Sequence, residues 1–337
     1  MNIKEIAGRA GVSVATVSRV LNHPEHVAEK TREHVLSLIE EMGYKPNWFA
    51  RGLNSNRTYT IGLMIPNLLN PAYVEMAKGV EEIASKRGYT TLLCVTVGDP
   101  QKERKHVQTL MDRRVDGMLL VSSALEDDDI FRIKERGISI VLVGENKGNS
   151  KEPTVRIDCG EAAANAARHL LSCGYREIAM VYGKSPETEN QNKICGFQRA
   201  LQEASVAIPE EYLVCEKNTI EGGAAAARKL FELSSPPRAI FTSSDLLALG
   251  VMEAARETGR SIPKDLALVG FDNIRIAELM EPRLSTVAKP LRRMGIYGTK
   301  LLFNVMENID DASKKREIVL KSKLKIRKSC GGGEKTP

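Results

Sequence analysis

The first 45 residues carry apolar side chains at helical spacing in three short stretches. A first helix over 2–10 has an inner face made of Ile3, Ile6, Ala7 and Ala10. Gly11 makes a turn, Ser13 caps a second helix over 14–21, and Gly43 ends a third helix over about 29–42. The pattern predicts an all-α head in which the second helix follows a tight turn.

The pattern changes at Thr60, where apolar runs begin to alternate with amphipathic helices. The runs lie at 60–66, 90–95, 116–122 and 139–144, and the alternation restarts at 177–183 and continues to 266–272. Such alternation is typical of parallel sheets covered by helices on both faces. We therefore predict an α/β core of two lobes, each built on a parallel sheet, with ligands bound beyond the carboxyl ends of the strands.

The composition is that of an ordinary globular protein, with 27% charged and 42% hydrophobic residues among 337. No apolar run is long enough to cross a membrane, and no apolar stretch after Met1 resembles a secretion signal, so we expect a cytoplasmic protein. The six cysteines form no C-x-x-C pair and lie at no metal-ligand spacing. We therefore expect buried free thiols, no metal and no cofactor.

The net charge of +6 is concentrated near the C-terminus, where residues 314–328 hold eight Lys/Arg and one acidic residue. Lysines and apolar residues alternate over 320–327, which predicts a half-buried strand whose charged face protects a sheet edge. The alternative is a patch that binds nucleic acid. Because the head itself carries only eight basic against six acidic residues over 1–58, charge alone does not establish DNA binding.

The head has the spacing of a helix-turn-helix, which places the outer residues of its second helix in the major groove of DNA. Those outer residues are Val14, Ala15, Ser18, Arg19 and Asn22. Val14 and Ala15 suit thymine methyl groups, Arg19 suits a guanine or a phosphate, and Ser13 and Thr16 suit phosphates. A three-helix bundle without DNA-binding activity would produce the same spacing.

Two segments of the head, "IKEIAGRAGVSVATVSRVLN" and "VAEKTREHVLSLIEEMGYKPN", resemble the DNA-binding head of the LacI/GalR family of bacterial transcription regulators. "IGLMIPNLLNPAYVEMAKGVEEIASKRGY", "VDGMLLVSS", "PRAIFTSSDLLALGVMEAARETGRSIPKDLALVGFDN" and "PRLSTV" resemble the family's periplasmic-binding-protein-like core, so the resemblance covers about 2–328. It implies a homodimeric repressor that binds a near-palindromic operator in double-stranded DNA and is controlled by a small effector. The chain departs from the family at Ala28, where a capping side chain is usual.

The resemblance also implies a division of the chain. The head covers 1–45, a hinge helix or linker covers 46–58, and the effector-binding and dimerisation core covers 59–328. Within the core we expect an N-lobe of about 59–157 and 290–317 and a C-lobe of about 158–289 and 318–328. Residues 329–337 are expected to form a disordered tail.

The segment "NWFARGLNSNRT" at 47–58 resembles the family's hinge helix, which forms on DNA. The resemblance places DNA contacts at Asn47, Ala50 and Leu53, with Leu53 as the wedge that enters the minor groove. Gly52 weakens an isolated helix by ~1 kcal/mol, so this segment should order only on DNA. The alternative is a structured linker that packs Trp48 against the core.

The resemblance places the effector contacts on six residues of the core. They are Tyr73, Asp158, Lys193, Asn218, Ser244 and Asp272. Members that bind sugars or purines usually have an arginine at the place of Lys193 and often an aromatic residue at the place of Asn218. The ammonium group of Lys193 is a point charge where those members have a planar guanidinium, and the site has fewer aromatic surfaces for stacking. We therefore expect a small polar effector such as a sugar or a sugar derivative.

Three functions other than a repressor controlled by a small effector are compared with the sequence. A phosphorylated phosphocarrier protein acts as corepressor in some members, and Arg292 and Lys300 stand at the places of their contact residues. A two-lobed binding protein without a regulatory role would share the core but not the head. An enzyme is not expected, because "VYGKS" has Ile178 where a phosphate-binding loop needs glycine and no catalytic constellation is present.

Overall fold

A computed structural model describes residues 3–22, 24–43, 57–145, 152–184, 187–307 and 317–332. The chain divides into two compact units, one ending at Thr58 and the other beginning at Tyr59. The predicted hinge contacts Asn47, Ala50 and Leu53 lie outside the described residues. No helix in the described ranges is long and apolar enough to cross a membrane.

The head contains three helices: α1 Ile3–Ala10, α2 Val14–Asn22 and α3 Glu29–Glu41. Their buried side chains form one small core made of Ile6, Ala7, Ala10, Val17, Val20 and Val35. These are inner positions of the predicted helical faces, so the helix-turn-helix prediction is confirmed. The spacing fixes the fold because only one face of each short helix is apolar.

Local chemistry sets the ends of the head helices. Gly11 adopts φ +64°, a left-handed conformation that side chains disfavour, and so allows the tight turn. Ser13 Oγ accepts a hydrogen bond from the Thr16 amide at 3.0 Å and caps α2. Ala28 begins α3 without a side-chain cap, and an ion pair between Glu29 and Arg32 lies in the first turn instead.

The second unit alternates strands and helices, as the apolar pattern predicts. Its strands are β1 Thr60–Ile65, β2 Thr90–Val95, β3 Gly117–Val121, β4 Ser139–Val143, β5 Thr154–Ile157, β6 Ile178–Gly183, β7 Leu213–Glu216, β8 Ala239–Thr242, β9 Ala267–Asp272, β10 Ser285–Ala288, β11 Glu317–Leu320 and β12 Lys323–Lys325. Its helices are α4 Pro71–Lys86, α5 Pro100–Asp112, α6 Asp127–Glu135, α7 Cys159–Ser172, α8 Glu187–Glu203, α9 Ile220–Phe231, α10 Asp245–Glu257 and α11 Leu291–Met306.

The strands form two sheets, one in each lobe. The first has the order β11-β5-β4-β3-β1-β2 and is parallel, with Leu63 of β1 beside Leu93 and Leu119. The second has the order β12-β10-β9-β8-β6-β7 and is parallel except for the antiparallel pair of β10 and β12. The predicted two-lobed α/β fold is therefore confirmed.

The C-terminal end of the core differs from the sequence-based division. We expected one strand over 320–327 and a C-lobe that resumes at 318. Instead, β11 pairs with β5 in the first sheet, and β12 pairs with β10 at the edge of the second. The chain therefore crosses between lobes at 321–322, because the apolar residues of 317–320 complete the first sheet before the lysine-rich strand begins.

The expectation of a disordered tail from residue 329 is wrong for the residues up to 332. Residues Lys328–Cys330 form a short 3-10 helix, and Ser329 and Cys330 are fully buried. Ser329 Oγ donates to the Leu268 carbonyl at 2.6 Å and accepts from the Ser285 amide at 2.8 Å. Two backbone groups that β-pairing leaves free are thus paired with this serine, which holds the chain end in place.

Helices that carry cavity residues pack through glycines at very close approach. A Cβ on Gly79 of α4 would lie 2.1 Å from the Arg292 carbonyl of α11, and a Cβ on Gly295 would lie 2.1 Å from the Met76 carbonyl. A Cβ on Gly196 of α8 would likewise collide with the backbone of α7. No side chain fits at these three contacts without moving the helices apart.

Removing the chain end should test whether residues 328–332 belong to the fold. Deleting 328–337 leaves the Ser285 amide and the Leu268 carbonyl unpaired and removes Cys330 from the core. We expect a loss of about 2–4 kcal/mol in the free energy of unfolding. Deleting only 333–337 is the control and should leave it unchanged in urea titrations. Equal stability of the two truncations would contradict this role.

Candidate functional site

A small cavity lies between the two lobes at the carboxyl ends of their strands, where open sheets bind ligands. Its volume is about 30 Å³. The first lobe and α11 line it with Asn70, Ala72, Tyr73, Met76, Ser122, Gly144, Leu291 and Met294. The second lobe lines it with Glu189, Asn190, Lys193, Asn218, Ser243, Ser244 and Asp272, and Lys289 lies where the chain crosses between them.

Five of the six predicted effector contacts are brought together here. Tyr73, Lys193, Asn218, Ser244 and Asp272 all line the cavity. Asp158 does not. It is exposed, and its side chain accepts a hydrogen bond from the Glu161 amide at 2.8 Å and caps α7.

The most consequential residues of the cavity are two that the sequence analysis missed. Glu189 Oε1 lies 2.8 Å from Lys193 Nζ and 3.2 Å from Lys289 Nζ, so one carboxylate bridges two ammonium groups. Glu189 and Lys193 stand four residues apart on α8, a spacing that could have been recognised as an ion pair. No sequence pattern indicates a role for Lys289, because it is a single lysine that follows β10.

The electrostatics of this bridge follow from its burial. Burial raises the pKa of Glu189, but the charges of Lys193 and Lys289 outweigh it and hold the pKa well below the ordinary value. Burial lowers the pKa of Lys289, but Glu189 and Asp272 outweigh it and raise the pKa well above its usual range. Glu189 and Lys289 are therefore both charged inside the protein.

Three groups of the protein contact the ammonium group of Lys193. Its Nζ contacts Glu189 Oε1, donates to the Ser243 carbonyl at 3.2 Å and lies 4.2 Å from the ring centroid of Phe271. The Phe271 ring packs against Phe241 at 6.3 Å between centroids. An aromatic face and a carbonyl stabilise an ammonium group even where no water reaches it.

One hydrogen bond in the cavity joins the lobes directly. Ser122, which follows β3 in the first lobe, donates through Oγ to Glu189 Oε2 of the second lobe at 3.3 Å. Tyr73 of α4 lies close by, and burial together with the charge of Glu189 raises the pKa of its hydroxyl. Tyr73 is therefore a neutral hydroxyl that can both donate and accept.

The remaining polar groups of the second lobe pair with each other. Ser244 donates through Oγ to Asn218 Oδ1. Ser244 Oγ also accepts a hydrogen bond from the Leu247 amide at 3.3 Å and so caps α10. Asn190 donates to the carbonyl of Gly183 at the end of β6. These pairs line the wall opposite Tyr73 and Ser122.

Asp272 ends β9 in a strained conformation. Its φ of 111° lies in the region that L side chains rarely adopt, and Asn273 follows at 58°. The turn brings Asp272 Oδ1 to 3.7 Å from Lys289 Nζ. Burial raises the pKa of Asp272, and the two lysines only partly oppose this effect.

Asp245 lies behind Asp272 and is fully buried. Thr286 donates to its Oδ1 at 2.6 Å and the Ile274 amide donates to its Oδ2 at 2.8 Å. Burial, together with the charge of Asp272, raises the pKa of Asp245 to about 8. Asp245 therefore holds a proton near neutral pH and adds no further negative charge beside Asp272.

The lining of the cavity offers hydrogen-bonding groups to a small molecule. Two ammonium groups face two carboxyl groups, and hydroxyls, amides and the apolar side chains of Ala72, Met76, Leu291 and Met294 complete the wall. Among the residues that the structure describes, no group of His, Cys, Asp or Glu is arranged to hold a metal ion. A volume of about 30 Å³ accommodates a water molecule but is far below the ~300 Å³ of ligand pockets, so a ligand has to displace side chains or part the lobes.

The predicted DNA-binding residues of the head form an exposed ridge. Ser13, Val14, Ala15 and Arg19 are exposed, and Val14 retains 40% of its surface although it is apolar. Thr16 and Ser18 are half-buried, and the side chain of Asn22 lies outside the described set. The ridge occupies the first turns of α2, the part of a recognition helix that meets base edges.

Comparisons with known proteins agree with this architecture. The family model described as bacterial regulatory proteins, lacI family, matches residues 2–47, and a periplasmic binding protein-like domain matches 167–330. The chain is 36% identical over 330 residues to the HTH-type transcriptional regulator DegA of Bacillus subtilis (strain 168), with 97% of each protein covered.

Two solved structures extend the comparison. The complex of the transcriptional regulator CelR with cellobiose is 29% identical, has a TM-score of 0.73 and covers 98% of this chain and 99% of that one. The lac repressor dimer bound to operator and the anti-inducer ONPF has a TM-score of 0.86 over 98% of this chain and 99% of that one. At 22% identity, this second likeness shows the fold alone.

A helix-turn-helix head joined to a two-lobed binding core defines a DNA-binding regulator that responds to a small molecule. The chain belongs to the LacI family of bacterial transcription regulators. Its function is therefore that of a sequence-specific DNA-binding repressor controlled by a small effector bound between the lobes.

Asp245 should make stability depend on pH in a predictable direction. Its pKa is raised from 3.8 to about 8, so the folded protein holds a proton that the unfolded chain releases. Its contribution to stability is full below pH 3.8 and is lost as pH rises towards 8. Asp245→Asn should not show this pH-dependent loss of stability. Between pH 5 and pH 9, the free energy of unfolding of the variant should therefore rise by ~1 kcal/mol or more relative to that of the wild type.

Urea titrations at pH 5, 7 and 9 measure this gain. Asp128→Asn is the matched control, because Asp128 is exposed on α6 and should leave the pH profile unchanged. Parallel profiles for Asp245→Asn and the wild type would show that Asp245 is ionised in the fold.

Proposed function

We propose that the chain acts in the cytoplasm as a homodimer that represses transcription from a near-palindromic operator. We further propose that a small, neutral, polyhydroxylated effector, such as a sugar, controls it. The observation that carries this proposal is the charge-balanced, hydroxyl-lined cavity that takes side chains from both lobes.

The charges of the cavity favour a neutral ligand. Lys193 and Lys289 face Glu189 and Asp272, so the wall is already compensated. A ligand with net charge would bring an uncompensated charge into a buried site, which is costly. Hydroxyl groups both donate and accept, so a polyol can pair with ammonium, carboxyl, amide and hydroxyl groups in turn. The CelR complex with cellobiose supports the same ligand class.

The hydrogen bond between Ser122 and Glu189 can couple effector binding to DNA binding. A ligand that takes over this bond changes the contact between the lobes and favours one lobe arrangement over another. The first lobe begins at Thr60, directly after the segment in which we place the hinge helix. We propose that the lobe arrangement sets the spacing of the two hinges of a dimer. This spacing decides whether Asn47 and Ala50 can contact DNA and whether Leu53 can enter the minor groove.

Operator selection followed by a ligand screen tests this function. The full-length protein is incubated with random DNA duplexes, and bound sequences are enriched over several rounds. Thermal unfolding is then measured with neutral sugars, sugar acids, sugar phosphates and nucleosides, because a ligand of the native state raises its melting temperature. We expect an enriched near-palindrome and a neutral sugar that shifts operator affinity. No enriched sequence would overturn the DNA-binding role, and stabilisation only by anions would overturn the ligand class.

Asp272 should contribute to effector binding without affecting the head. Asp272→Asn keeps a residue that tolerates the left-handed backbone but removes the carboxylate. Loss of a charged hydrogen-bond partner should weaken effector affinity about 10- to 100-fold, with operator affinity unchanged when no effector is added. Calorimetry and operator titration measure the two effects.

Asp158→Asn provides the matched control for that experiment. It makes the same chemical change at the predicted residue that lies outside the cavity, and asparagine caps a helix as well as aspartate does. We expect wild-type effector affinity. Equal losses in Asp158→Asn and Asp272→Asn would remove the cavity from consideration as the effector site.

Leu53 and Arg19 should affect DNA binding in different ways. Leu53→Ala removes an apolar wedge and should weaken operator binding at least tenfold, because burying a leucine contributes about 1.5–3 kcal/mol. Its salt dependence should not change, since no phosphate contact is lost. Arg19→Met should weaken binding as well, and a phosphate contact would lower the salt slope by about one per head. Wild-type affinity for Leu53→Ala would contradict the hinge proposal.

A further inference from the structure

A second cluster of reactive side chains lies away from the cavity, where the chain end returns to the second lobe. Cys330 ends the Lys328–Cys330 helix and is fully buried, whereas Cys173 caps the carboxyl end of α7 and is partly exposed. His169 stands one turn before Cys173. Its Nε2 lies 3.1 Å from Cys330 Sγ and 3.7 Å from Cys173 Sγ, so one ring nitrogen contacts both sulfurs.

The two thiols have different chemical characters. Ser285 donates to Cys330 Sγ through Oγ at 3.1 Å. Burial raises the pKa of the Cys330 thiol, but its hydrogen bonds with His169 and Ser285 outweigh this effect and hold the pKa below the usual value. Burial raises the pKa of Cys173, and the neighbouring Cys330 raises it further. Cys330 is thus the better nucleophile, and Cys173 is the sulfur nearer to solvent.

The chain end packs directly on Cys173. A Cβ built on Gly332 would lie 3.0 Å from Cys173 Sγ and 2.9 Å from His169 Cε1. Gly332 is only two residues beyond Cys330. Because the His169 imidazole also contacts both sulfurs, the three side chains lie close together. A disulfide requires this kind of proximity between its two residues.

We propose that Cys173 and Cys330 are a modification site at which a hydroperoxide forms an intrachain disulfide, with His169 as the proton carrier. None of these three residues lines the effector cavity.

The reaction balances with a hydroperoxide as the only co-reactant. The Cys173 sulfur attacks the hydroperoxide, so the O–O bond breaks, an S–O bond forms and Cys173 becomes a sulfenic acid. The proton of the Cys173 thiol goes to the departing alkoxide or hydroxide, which leaves as an alcohol or as water. His169 takes the proton of Cys330, and the thiolate attacks the Cys173 sulfur. The S–S bond forms, the S–O bond breaks, and the departing hydroxide takes the proton back from His169 and leaves as water. Two thiols lose two electrons and two protons in total.

The cross-link would tie the end of α7 to the chain end. The closed loop from 173 to 330 contains most of the second lobe, and closing a long loop stabilises a protein mainly by restricting its unfolded chain. We therefore expect oxidation to raise the melting temperature and a reducing agent to reverse the rise. The cavity, which none of the three residues lines, should keep its affinity for a ligand.

Hydrogen peroxide treatment of the full-length chain tests the site. The expectation that the cysteines are buried is wrong for Cys195 and Cys215, which are exposed. Cys195→Ser and Cys215→Ser are therefore combined first, because these two thiols would react on their own. Peptide mapping without reduction should then find residues 173 and 330 linked within one chain, and dithiothreitol should release them. Absence of this linked peptide, or a link between two chains, overturns the proposal.

Two variants in the same background separate a reactive pair from a structural contact. Cys173→Ser changes the partly exposed member and should abolish both the linked peptide and the peroxide-induced rise in melting temperature. His169→Gln should slow disulfide formation at least tenfold, because the thiolate and the proton carrier are both lost. Formation at the wild-type rate in His169→Gln would overturn the role of the imidazole, and a rise that persists in Cys173→Ser would overturn the pairing.

Discussion

The carboxylate of Glu189 is the group on which the arrangement of the cleft depends. It is buried against Lys193 and Lys289, and it accepts the hydrogen bond of Ser122 from the other lobe. Removing the Glu189 carboxylate would leave the buried ammonium group of Lys193 without its carboxylate partner, and such a loss typically costs 3–5 kcal/mol. The bridge is therefore weak evidence for stability in itself but strong evidence for a specified geometry. It fixes where a ligand meets donors and where it meets acceptors.

The glycine contacts explain why this geometry can be held. Glu189 and Lys193 lie on α8, which contacts α7 through Gly196, and Tyr73 lies on α4, which contacts α11 through Gly79. Backbones that touch have little room to slide, because any shift brings main-chain atoms into collision. Each lobe therefore presents its side chains from a rigid layer. The chain crosses between the lobes after β5, β10 and β11, and Lys289 lies at one of these crossings.

The sequence was most informative where a pattern repeats and least where a single residue acts through distant partners. Apolar periodicity predicted the head and both sheets, since each element has one apolar face or a fully buried run. The resemblance placed Lys193 and Asp272 in the cavity, but it also placed Asp158 there, whose carboxylate caps α7 instead. Lys289 and the buried chain end at Cys330 were missed. Their roles depend on contacts with residues far away in the chain, which no local pattern encodes.

The small cavity and the ion bridge together imply that binding is an exchange of hydrogen bonds rather than the filling of a preformed pocket. A ligand that displaces Glu189 from Ser122 or from a lysine must offer a replacement, because an unpaired buried charge or hydroxyl is costly. An apolar molecule of the right size fails this requirement, whereas a polyol meets it at several positions. Since Ser122 and Glu189 belong to different lobes, the same exchange that selects the ligand also alters the contact between the lobes. In the proposed function, selectivity and regulation therefore arise from one set of hydrogen bonds.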